Sequence, residues 1–347
     1  MARSAPTIRD VATRAGVSAT TVSHVLNGTR RVLPETEARV RDAMSALGFR
    51  ANALARSMRH GQTYTVGIVQ PDIANPFFAD VARALEDAMF AQGYSAIFCN
   101  TDRDPMKEAR YVDVLLSKQV DGLVLISAGG ASERLRDLAL GGPPMVLVDR
   151  DIEGLGVSTV MVDDHDGGRQ AGRFLLGLGH RRMAVIGGPD RLRPSARRLS
   201  GFQEALAEHA VTLDPRMVVQ GDFRAESGHE AMRQLLRLGV PVDAVFAEND
   251  LMALGAIRAL HEAGLGVPVD VSVMGFDDIA VGLGVSPTLT TVAQPIEDIA
   301  VTALRLLFDR LRDPDAPPER VVLPVELVAR DSCAPRAASV GGSGRSV

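Results

Sequence analysis

From Val66 onward, short apolar segments alternate with segments of helical length, and no other feature constrains the fold as strongly. The apolar segments are rich in β-branched residues, as strands are, and comprise 66–69, 96–99, 122–126, 144–149, 183–188, 243–250 and 271–278. The segments of helical length comprise 78–92, 106–118, 167–178, 199–209, 226–238 and 251–263. Because strands that are apolar throughout are buried on both faces, this pattern predicts parallel sheets covered by helices.

The number of such strands predicts two lobes. About eleven strands are more than one sheet accommodates comfortably. We therefore expect an α/β domain of two doubly wound lobes, with a ligand in the cleft where the carboxyl ends of their strands face each other.

Length and composition indicate a globular cytoplasmic protein. With 347 residues, the chain can form two or three domains. Cys99 and Cys333 lie far apart in sequence, so no disulfide framework is expected. The segment MARSAPTIRD lacks the apolar core of a secretory signal, and no stretch approaches the ~18 apolar residues of a membrane helix. We expect localisation with the nucleoid in the cytoplasm and no membrane partner.

The charge of the chain is unevenly distributed. The net charge is −5, yet residues 1–62 carry ten arginines against four acidic residues, a net charge of +6, which leaves −11 for the remainder. A basic N-terminal part on an acidic body is expected when one domain binds nucleic-acid phosphates and another does not.

The basic part has the signals of three short helices. Thr7 and Asp10 fit a capping box, Gly16 ends the first helix, and Ser18 caps the second. Pro34 fits the first position of a third helix. Two helices joined by a glycine-containing turn of about four residues form a helix-turn-helix, so an N-terminal all-α DNA-binding domain is predicted.

The second of these helices concentrates hydroxyl side chains, which are mediocre helix formers because they compete for backbone hydrogen bonds. If Val22 and Val25 are buried, the outward positions are Ala19, Thr20, Ser23 and His24. Short hydroxyls and one imidazole suit a recognition helix in a DNA major groove. The alternative is a small helical bundle with a polar surface.

Motifs run through the chain from residue 7 to residue 332, among them TIRDVATRAGVSATTVSHVLNG, VGIVQPDIANPFFADV, LGHRRMAVIGGP, RRLSGFQEAL, AVFAENDLMALGAIRAL and VSVMGFDDI. In this order and spacing, they closely resemble the lactose-repressor (LacI/GalR) family of bacterial transcription regulators. The resemblance implies a helix-turn-helix domain (1–49), a hinge helix and linker (50–62), and an effector-binding and dimerisation domain (63–332) similar to periplasmic sugar-binding proteins. The N-lobe would take 63–162 and 292–322, the C-lobe 163–291 and 323–332, and residues 333–347 would be a disordered tail.

The resemblance also implies a function. A homodimer would bind a pseudo-palindromic operator in double-stranded DNA, and a small effector would change the operator affinity. We expect a repressor, although the position of the operator relative to a promoter would decide between repression and activation.

The same resemblance locates the DNA contacts. The base-reading positions correspond to Ala19, Thr20 and His24, where relatives usually carry arginine at the last. A phosphate contact or simple exposure is the alternative for His24. Residues 51–59 resemble a hinge helix that inserts an apolar side chain into the minor groove, here Met58. The expected DNA contacts are Thr7, Ser18, Ala19, Thr20, Thr21, Ser23, His24, Asn27, Asn52, Ala55, Arg56 and Met58.

Isolated polar residues at strand ends, with two adjacent aromatic residues, form the predicted effector site: Phe77, Phe78, Asp149, Arg198, Asn249, Asp277 and Gln294. Arg198 matches the effector-binding arginine of the family. Arginine, aspartate and asparagine together supply donors and acceptors for vicinal hydroxyls, so we expect a sugar or sugar derivative. A purine is the alternative, because the same aromatic rings could stack on a base. A structural Arg198–Asp277 ion pair and a core role for Phe78 are the non-functional alternatives.

The sequence gives little support for a metal site, a dinucleotide site or a catalytic site. The segment DDHDGG (163–168) fits helix capping better than metal binding, because consecutive side chains do not converge on one ion. The GLG segments at 177–179, 264–266 and 282–284 lack the order of a dinucleotide fingerprint, and no catalytic motif is present. We expect no cofactor, no metal and no enzyme. A solute-binding protein, or an enzyme of this fold with a DNA tether, remain the rival functions.

Overall fold

A computed structural model of the chain describes residues 6–27, 30–49, 62–126, 133–149, 152, 154–190 and 192–336. The chain divides into two compact units, residues 1–63 and residues 64–347, which we call the N-terminal unit and the large unit.

The N-terminal unit contains three helices, α1 (Ile8–Ala15), α2 (Ala19–Asn27) and α3 (Pro34–Leu47). The capping box of α1 is confirmed: the backbone N–H of Thr7 donates to Asp10 Oδ2 at 2.7 Å, and the N–H of Asp10 donates to the Thr7 hydroxyl. At the start of α2, the Ser18 hydroxyl accepts a hydrogen bond from the backbone N–H of Thr21 at 3.0 Å, as expected for a capping residue.

The turn between α1 and α2 sets their angle. Gly16 has φ +64°, a left-handed conformation that glycine adopts without steric cost.

The three helices bury a small apolar core of Val11, Ala12, Ala15, Val22, Val40 and Ala43. Because Val22 is fully buried, the opposite face of α2 is turned outward, as the sequence predicts.

The large unit contains twelve strands and eight helices in its described part. The strands are β1 (Thr65–Gln70), β2 (Ser95–Asn100), β3 (Gly122–Ile126), β4 (Met145–Val148), β5 (Ser158–Val162), β6 (Met183–Gly187), β7 (Val218–Gln220), β8 (Ala244–Ala247), β9 (Ser272–Met274), β10 (Thr291–Ala293), β11 (Arg320–Leu323) and β12 (Glu326–Val328). The helices are α4 (Pro76–Ala91), α5 (Pro105–Ser117), α6 (Glu133–Gly141), α7 (Asp164–Gly177), α8 (Arg193–Glu208), α9 (Ala225–Arg237), α10 (Asp250–Glu262) and α11 (Ile296–Arg312). Two 3₁₀ helices span Pro215–Met217 and Ala280–Leu283.

Two parallel sheets define two lobes. The N-lobe sheet has the order β11-β5-β4-β3-β1-β2, and the C-lobe sheet has the order β7-β6-β8-β9. In each sheet the first strand has neighbours on both sides, so the winding reverses there, which is the doubly wound arrangement predicted. β10 and β12 form a separate antiparallel pair.

The central strands are apolar because helices cover both of their faces. Every residue of β3, β4, β5, β6 and β8 is buried. A strand buried on both faces shows no alternation of polar and apolar residues, which explains the continuous apolar segments in the sequence.

Helices α7 and α8 touch through glycine. A Cβ on Gly168 would lie 2.0 Å from the carbonyl oxygen of Arg198, and a Cβ on Gly201 would lie 1.9 Å from that of His165. Neither position accommodates a larger residue without moving backbone. This close packing fixes Asp164, the first residue of α7, beside Arg198 in α8.

The prediction that residues 333–347 are disordered is wrong for residues 333–336. The Cys333 thiol donates to the carbonyl of Val273, and the Arg336 guanidinium lies 2.7 Å from the buried carboxylate of Asp243. Backbone hydrogen bonds and an ion pair with the C-lobe hold this segment, despite its polar composition. The rest of the predicted tail lies outside the described residues.

Candidate functional site

A cavity lies between the two lobes, at the carboxyl ends of their strands. The non-atom space within it, including the part that opens to solvent, is about 580 Å³. The cavity is lined by Pro71, Asn75, Phe77, Phe78, Arg103, Asp149, Leu192, Pro194, Arg198, Phe223, Asn249, Asp277 and Gln294. All seven residues that the sequence analysis assigned to the effector site are among them.

Arg198 lies at the centre of a buried charge cluster. Its Nε donates to Asp164 Oδ1 at 2.8 Å, and its Nη1 donates to the carbonyl of Glu248 at 2.6 Å. The guanidinium also stacks on the Phe276 ring, 3.7 Å from the ring centroid. Although burial opposes it, the carboxylates of Asp164, Asp277 and Asp149 raise the pKa of Arg198, so this cation stays charged.

Asp277 and Gln294 form one wall of the cavity. Gln294 Nε2 donates to Asp277 Oδ1 at 2.8 Å, and the same carboxylate oxygen lies 3.8 Å from Arg198 Nη1. The ion pair considered as a non-functional alternative is therefore present, and it lies in the cavity wall. Burial raises the pKa of Asp277 to about 7.

Asp149 contributes a second carboxylate. Burial, together with the nearby charge of Asp164, raises its pKa well above the ordinary value. Oδ1 of Asp149 and Oε1 of Gln294 have no hydrogen-bond partner among the described residues. Buried polar atoms of this kind are costly unless a partner is supplied. Both are available to a bound molecule.

Strained backbone is concentrated around the cavity. Four lining residues have a left-handed φ: Arg103 (+61°), Asp149 (+53°), Phe223 (+68°) and Asp277 (+112°). Such conformations cost on the order of 1–3 kcal/mol each and cluster at ligand sites, where surrounding structure holds them.

The amide of Asn249 serves the fold as well as the cavity. Its Oδ1 caps α10 by accepting the backbone N–H of Met252 at 3.0 Å, and its Nδ2 donates to the carbonyl of Phe223 at 3.1 Å. A direct effector contact from Asn249, as predicted, must therefore use the remaining hydrogen-bonding capacity of this side chain.

The two predicted aromatic residues are both core residues and lining residues. Phe77 and Phe78 begin α4 and are 3% and 8% exposed, with ring centroids 5.2 Å apart in an edge-to-face arrangement. The core interpretation of Phe78 and its place in the cavity are compatible, because Phe78 belongs to a buried hydrophobic cluster and also lines the cavity.

The mouth of the cavity is crossed by contacts between the lobes. Arg103 of the N-lobe donates to the carbonyl of Asp222 in the C-lobe, and its guanidinium lies over the Phe223 ring. In the opposite direction, Arg224 of the C-lobe lies 3.4 Å from Asp72 of the N-lobe. These contacts link the two lobes in the observed arrangement.

Several residues of the site escaped the sequence analysis, notably Asp164, Glu248, Arg103 and Phe223. DDHDGG was interpreted as a helix cap, and Asp163 does cap α7 by accepting from the N–H of Asp166. The adjacent Asp164 turns inward instead, and it is fully buried. Glu248 could have been identified from the sequence, because it is an acidic residue at the end of the apolar segment AVFA and immediately before Asn249.

The outward face of α2 is the second candidate site. Thr20 is exposed, and Ala19, Ser23 and His24 are partly exposed. The hydroxyls of Ser18 and Thr21 lie 2.9 Å apart and Thr7 caps α1, so these three predicted DNA contacts also maintain the helix starts. Asn27 ends α2. The predicted contacts Asn52, Ala55, Arg56 and Met58 lie outside the described residues.

Neither a membrane helix nor a metal cluster emerges from the part of the chain that the structure describes. No described helix is long and apolar enough to cross a bilayer. No described group of three or more His, Cys, Asp or Glu side chains could hold a metal ion.

Both units match known proteins. The model "Bacterial regulatory proteins, lacI family" matches residues 7–52, and the model "Periplasmic binding protein-like domain" matches residues 173–333. The HTH-type transcriptional repressor PurR of Pectobacterium carotovorum is 40% identical over 307 residues, which are 88% of this chain and 90% of that protein.

Two solved structures extend the comparison to the fold. The transcriptional regulator CelR in complex with cellobiose has a TM-score of 0.73 and 36% identity, covering 94% of this chain and 99% of that chain. The Lac repressor dimer bound to operator and an anti-inducer has a TM-score of 0.85 and 27% identity, covering 95% of this chain and 100% of that chain. The chain thus belongs to the LacI family, and it is a DNA-binding transcriptional repressor.

Proposed function

We propose that the effector is a sugar or sugar derivative, bound between the lobes by Phe77, Phe78, Asp149, Arg198, Asn249, Asp277 and Gln294. The observation that carries this proposal is the cavity wall around Arg198. Asp149 and Asp277 present carboxyl oxygens as acceptors, so a ligand rich in hydrogen-bond donors fits this wall. A sugar has a hydroxyl donor on most of its carbons, whereas a purine base has only a few N–H groups.

The apolar part of the cavity supports the same class of ligand. Phe77, Phe78 and Phe223 line it together with Pro71, Leu192 and Pro194, so the lining combines apolar and polar side chains. A sugar ring has a C–H face and a hydroxylated rim, which suit these two kinds of side chain. CelR, which is similar to this chain over most of its length, was solved with cellobiose.

The proposed mechanism is a population shift between open and closed lobes. Contacts across the mouth, such as those of Arg103 and Arg224, form only when the lobes are closed. An effector that touches both lobes favours the closed state by its differential affinity. Since the Lac repressor binds operator as a dimer, we propose that a homodimer of this chain binds a pseudo-palindromic operator through α2 and the hinge at 50–62.

The two parts of the chain take different roles in this proposal. We assign DNA binding to residues 1–49 and effector binding and dimerisation to residues 63–332, within a cytoplasmic protein that acts at the nucleoid. It acts by binding and not by catalysis, without a cofactor.

The test measures effector binding and its effect on DNA together. Full-length protein is screened by thermal shift against pentoses, hexoses, disaccharides, hypoxanthine and guanine. A ligand at 100 times its Kd should stabilise the protein by about 2.7 kcal/mol. The same ligand should change the affinity for a genomic operator fragment, measured by fluorescence anisotropy. Gln294→Ala should weaken the response, whereas Glu226→Ala, at an exposed C-lobe position, is the matched control.

Two results would contradict the proposal. Stabilisation by purines and not by sugars would assign the cavity to a base. A sugar that binds but leaves the operator affinity unchanged would separate the cavity from regulation.

A further inference from the structure

Asp164 holds Arg198 from the side away from the cavity. Asp164 is fully buried and is not a lining residue, and its Oδ1 accepts the hydrogen bond from Arg198 Nε. The carbonyl of Glu248 accepts from Nη1 of the same guanidinium. The positive charge of Arg198 is thus partnered before any ligand enters.

The carboxyl groups around Arg198 outnumber it. Asp149, Asp164 and Asp277 each act electrostatically on this one guanidinium. We call these four residues the arginine cluster. Its net charge is −2 when all three carboxyls are ionised, and it reaches zero only when two of them are protonated. Burial raises the pKa of Asp149, Asp164 and Asp277, and the charge of Arg198 opposes this rise at each of the three carboxyls.

The buried atoms of the cavity wall that lack a hydrogen-bond partner also disfavour an anion. Among the buried side-chain atoms of the described cavity wall, those without a partner are Oδ1 of Asp149 and Oε1 of Gln294, and both are oxygens. Gln294 is 7% exposed. Oxygens without a donor call for hydroxyl or N–H groups and oppose an anion.

The two cations at the mouth share one carboxylate. Arg103 and Arg224 both approach Asp72, at 3.7 and 3.4 Å. Arg103 also donates to the carbonyl of Asp222. Both guanidinium groups are thus already engaged in contacts between the lobes, which a phosphate group would have to displace.

We propose that Asp164 sets the charge selectivity of the effector cavity: by neutralising Arg198 from behind, it makes the cavity admit uncharged sugars and reject their phosphate esters. This inference rests on the proposed function, since it presumes a sugar effector. A phosphate monoester carries about −1.5 to −2 charges at neutral pH. Burying it beside a cluster of zero or negative charge would leave it without a counter-ion.

The experiment compares matched ligand pairs on the full-length protein. The probes are D-ribose with ribose 5-phosphate, D-glucose with glucose 6-phosphate, and cellobiose with its 6-phosphate, measured by isothermal titration calorimetry at pH 7.5. In the wild type, a sugar that binds should do so at least 100-fold more tightly than its ester. Asp164→Asn retains an acceptor oxygen for Arg198 but removes the charge, and it should reduce this ratio at least tenfold.

Asp163→Asn is the matched control. It makes the same substitution at the adjacent position, where the side chain caps α7 and asparagine caps equally well. Its sugar-to-ester ratio should equal that of the wild type. Circular dichroism melts verify that each variant is folded, and the wild-type comparison does not depend on either variant.

The outcomes are distinguishable. An ester that binds the wild type as tightly as its parent sugar, or better, overturns the charge selectivity while the sugar proposal stands. An unchanged ratio in folded Asp164→Asn removes Asp164 from this role. Binding of neither sugars nor esters, with binding of hypoxanthine or guanine, overturns the proposed function and this inference with it.

Discussion

Replacing Glu248 by glutamine should change how the stability of the protein depends on pH. Glu248 follows β8 and is fully buried. One carboxylate oxygen accepts the backbone N–H of Gly188 at 2.7 Å and the hydroxyl of Ser195. The other has no partner in the part of the chain described. Burial therefore outweighs these hydrogen bonds and raises the pKa of Glu248 from 4.5 to about 7.

The sign of the effect follows from proton linkage. A carboxyl whose pKa is raised by folding binds its proton more tightly in the folded state. The unfolding free energy therefore falls as pH rises from about 4.5 to about 7 and is level above that. At about 1.4 kcal/mol per pH unit, the ionised Glu248 costs roughly 3 kcal/mol above pH 7.

Glutamine does not titrate, so the unfolding free energy of the variant should lack the pH-dependent contribution of Glu248. The unfolding free energy of Glu248→Gln minus that of the wild type should increase by about 2 kcal/mol between pH 5 and pH 8. The measurement is urea unfolding followed by far-UV circular dichroism, since the chain contains no tryptophan. Taking the difference cancels the titration of the other buried carboxyls.

Glu226→Gln, at an exposed position in the same lobe, is the control, and its difference from the wild type should not vary with pH. The reasoning would be refuted if the difference in unfolding free energy between Glu248→Gln and the wild type stays level within about 0.5 kcal/mol, or decreases with pH. Either result would show that ionisation of Glu248 does not destabilise the folded state.

Three further changes test other parts of the structure. Gly201→Ala should lower the free energy of unfolding by about 1–3 kcal/mol, because its Cβ would meet the carbonyl of His165. Gly141→Ala, with open space around it, is the control and should be neutral in urea unfolding. Equal effects of the two substitutions would contradict the close helix contact. Arg103→Gln removes a charged hydrogen bond across the mouth, so effector dissociation in stopped-flow should accelerate about tenfold or more; an unchanged rate would exclude the contact from closure. Deleting residues 1–62 should abolish operator binding and leave the effector Kd within about twofold, because the two units have separate cores; loss of both activities would show that the units are not independent.

The effect expected for Arg198 itself changes once the structure is considered. From the sequence alone, Arg198→Ala would only blunt the effector response. In the structure, this substitution would also leave the buried Asp164 without its partner. Removing one member of a buried ion pair typically costs about 3–5 kcal/mol, so functional tests at this position require a check of folding.

Much of the architecture follows from patterns along the chain. Continuous apolar segments alternating with helices indicate parallel sheets covered by helices, since such sheets bury strands on both faces. The capping box at Thr7 and the glycine turn at Gly16 are local signals that depend on neighbouring residues, and both are present in the structure. The lining residues Asp149 and Asn249 were recognisable because they lie one and two residues after the buried strands β4 and β8, where parallel sheets place their ligands.

The pairing of the charges in the cavity depends on contacts between residues far apart in the chain. Asp164 and Arg198 are separated by 34 positions, and Arg103 and Asp222 by 119. No local pattern relates residues at such distances, because their contact depends on how closely two helices or two lobes approach. The glycine contacts between α7 and α8 place a buried carboxylate behind the arginine. The composition of the cavity could be predicted from the sequence, but its net charge depended on that packing.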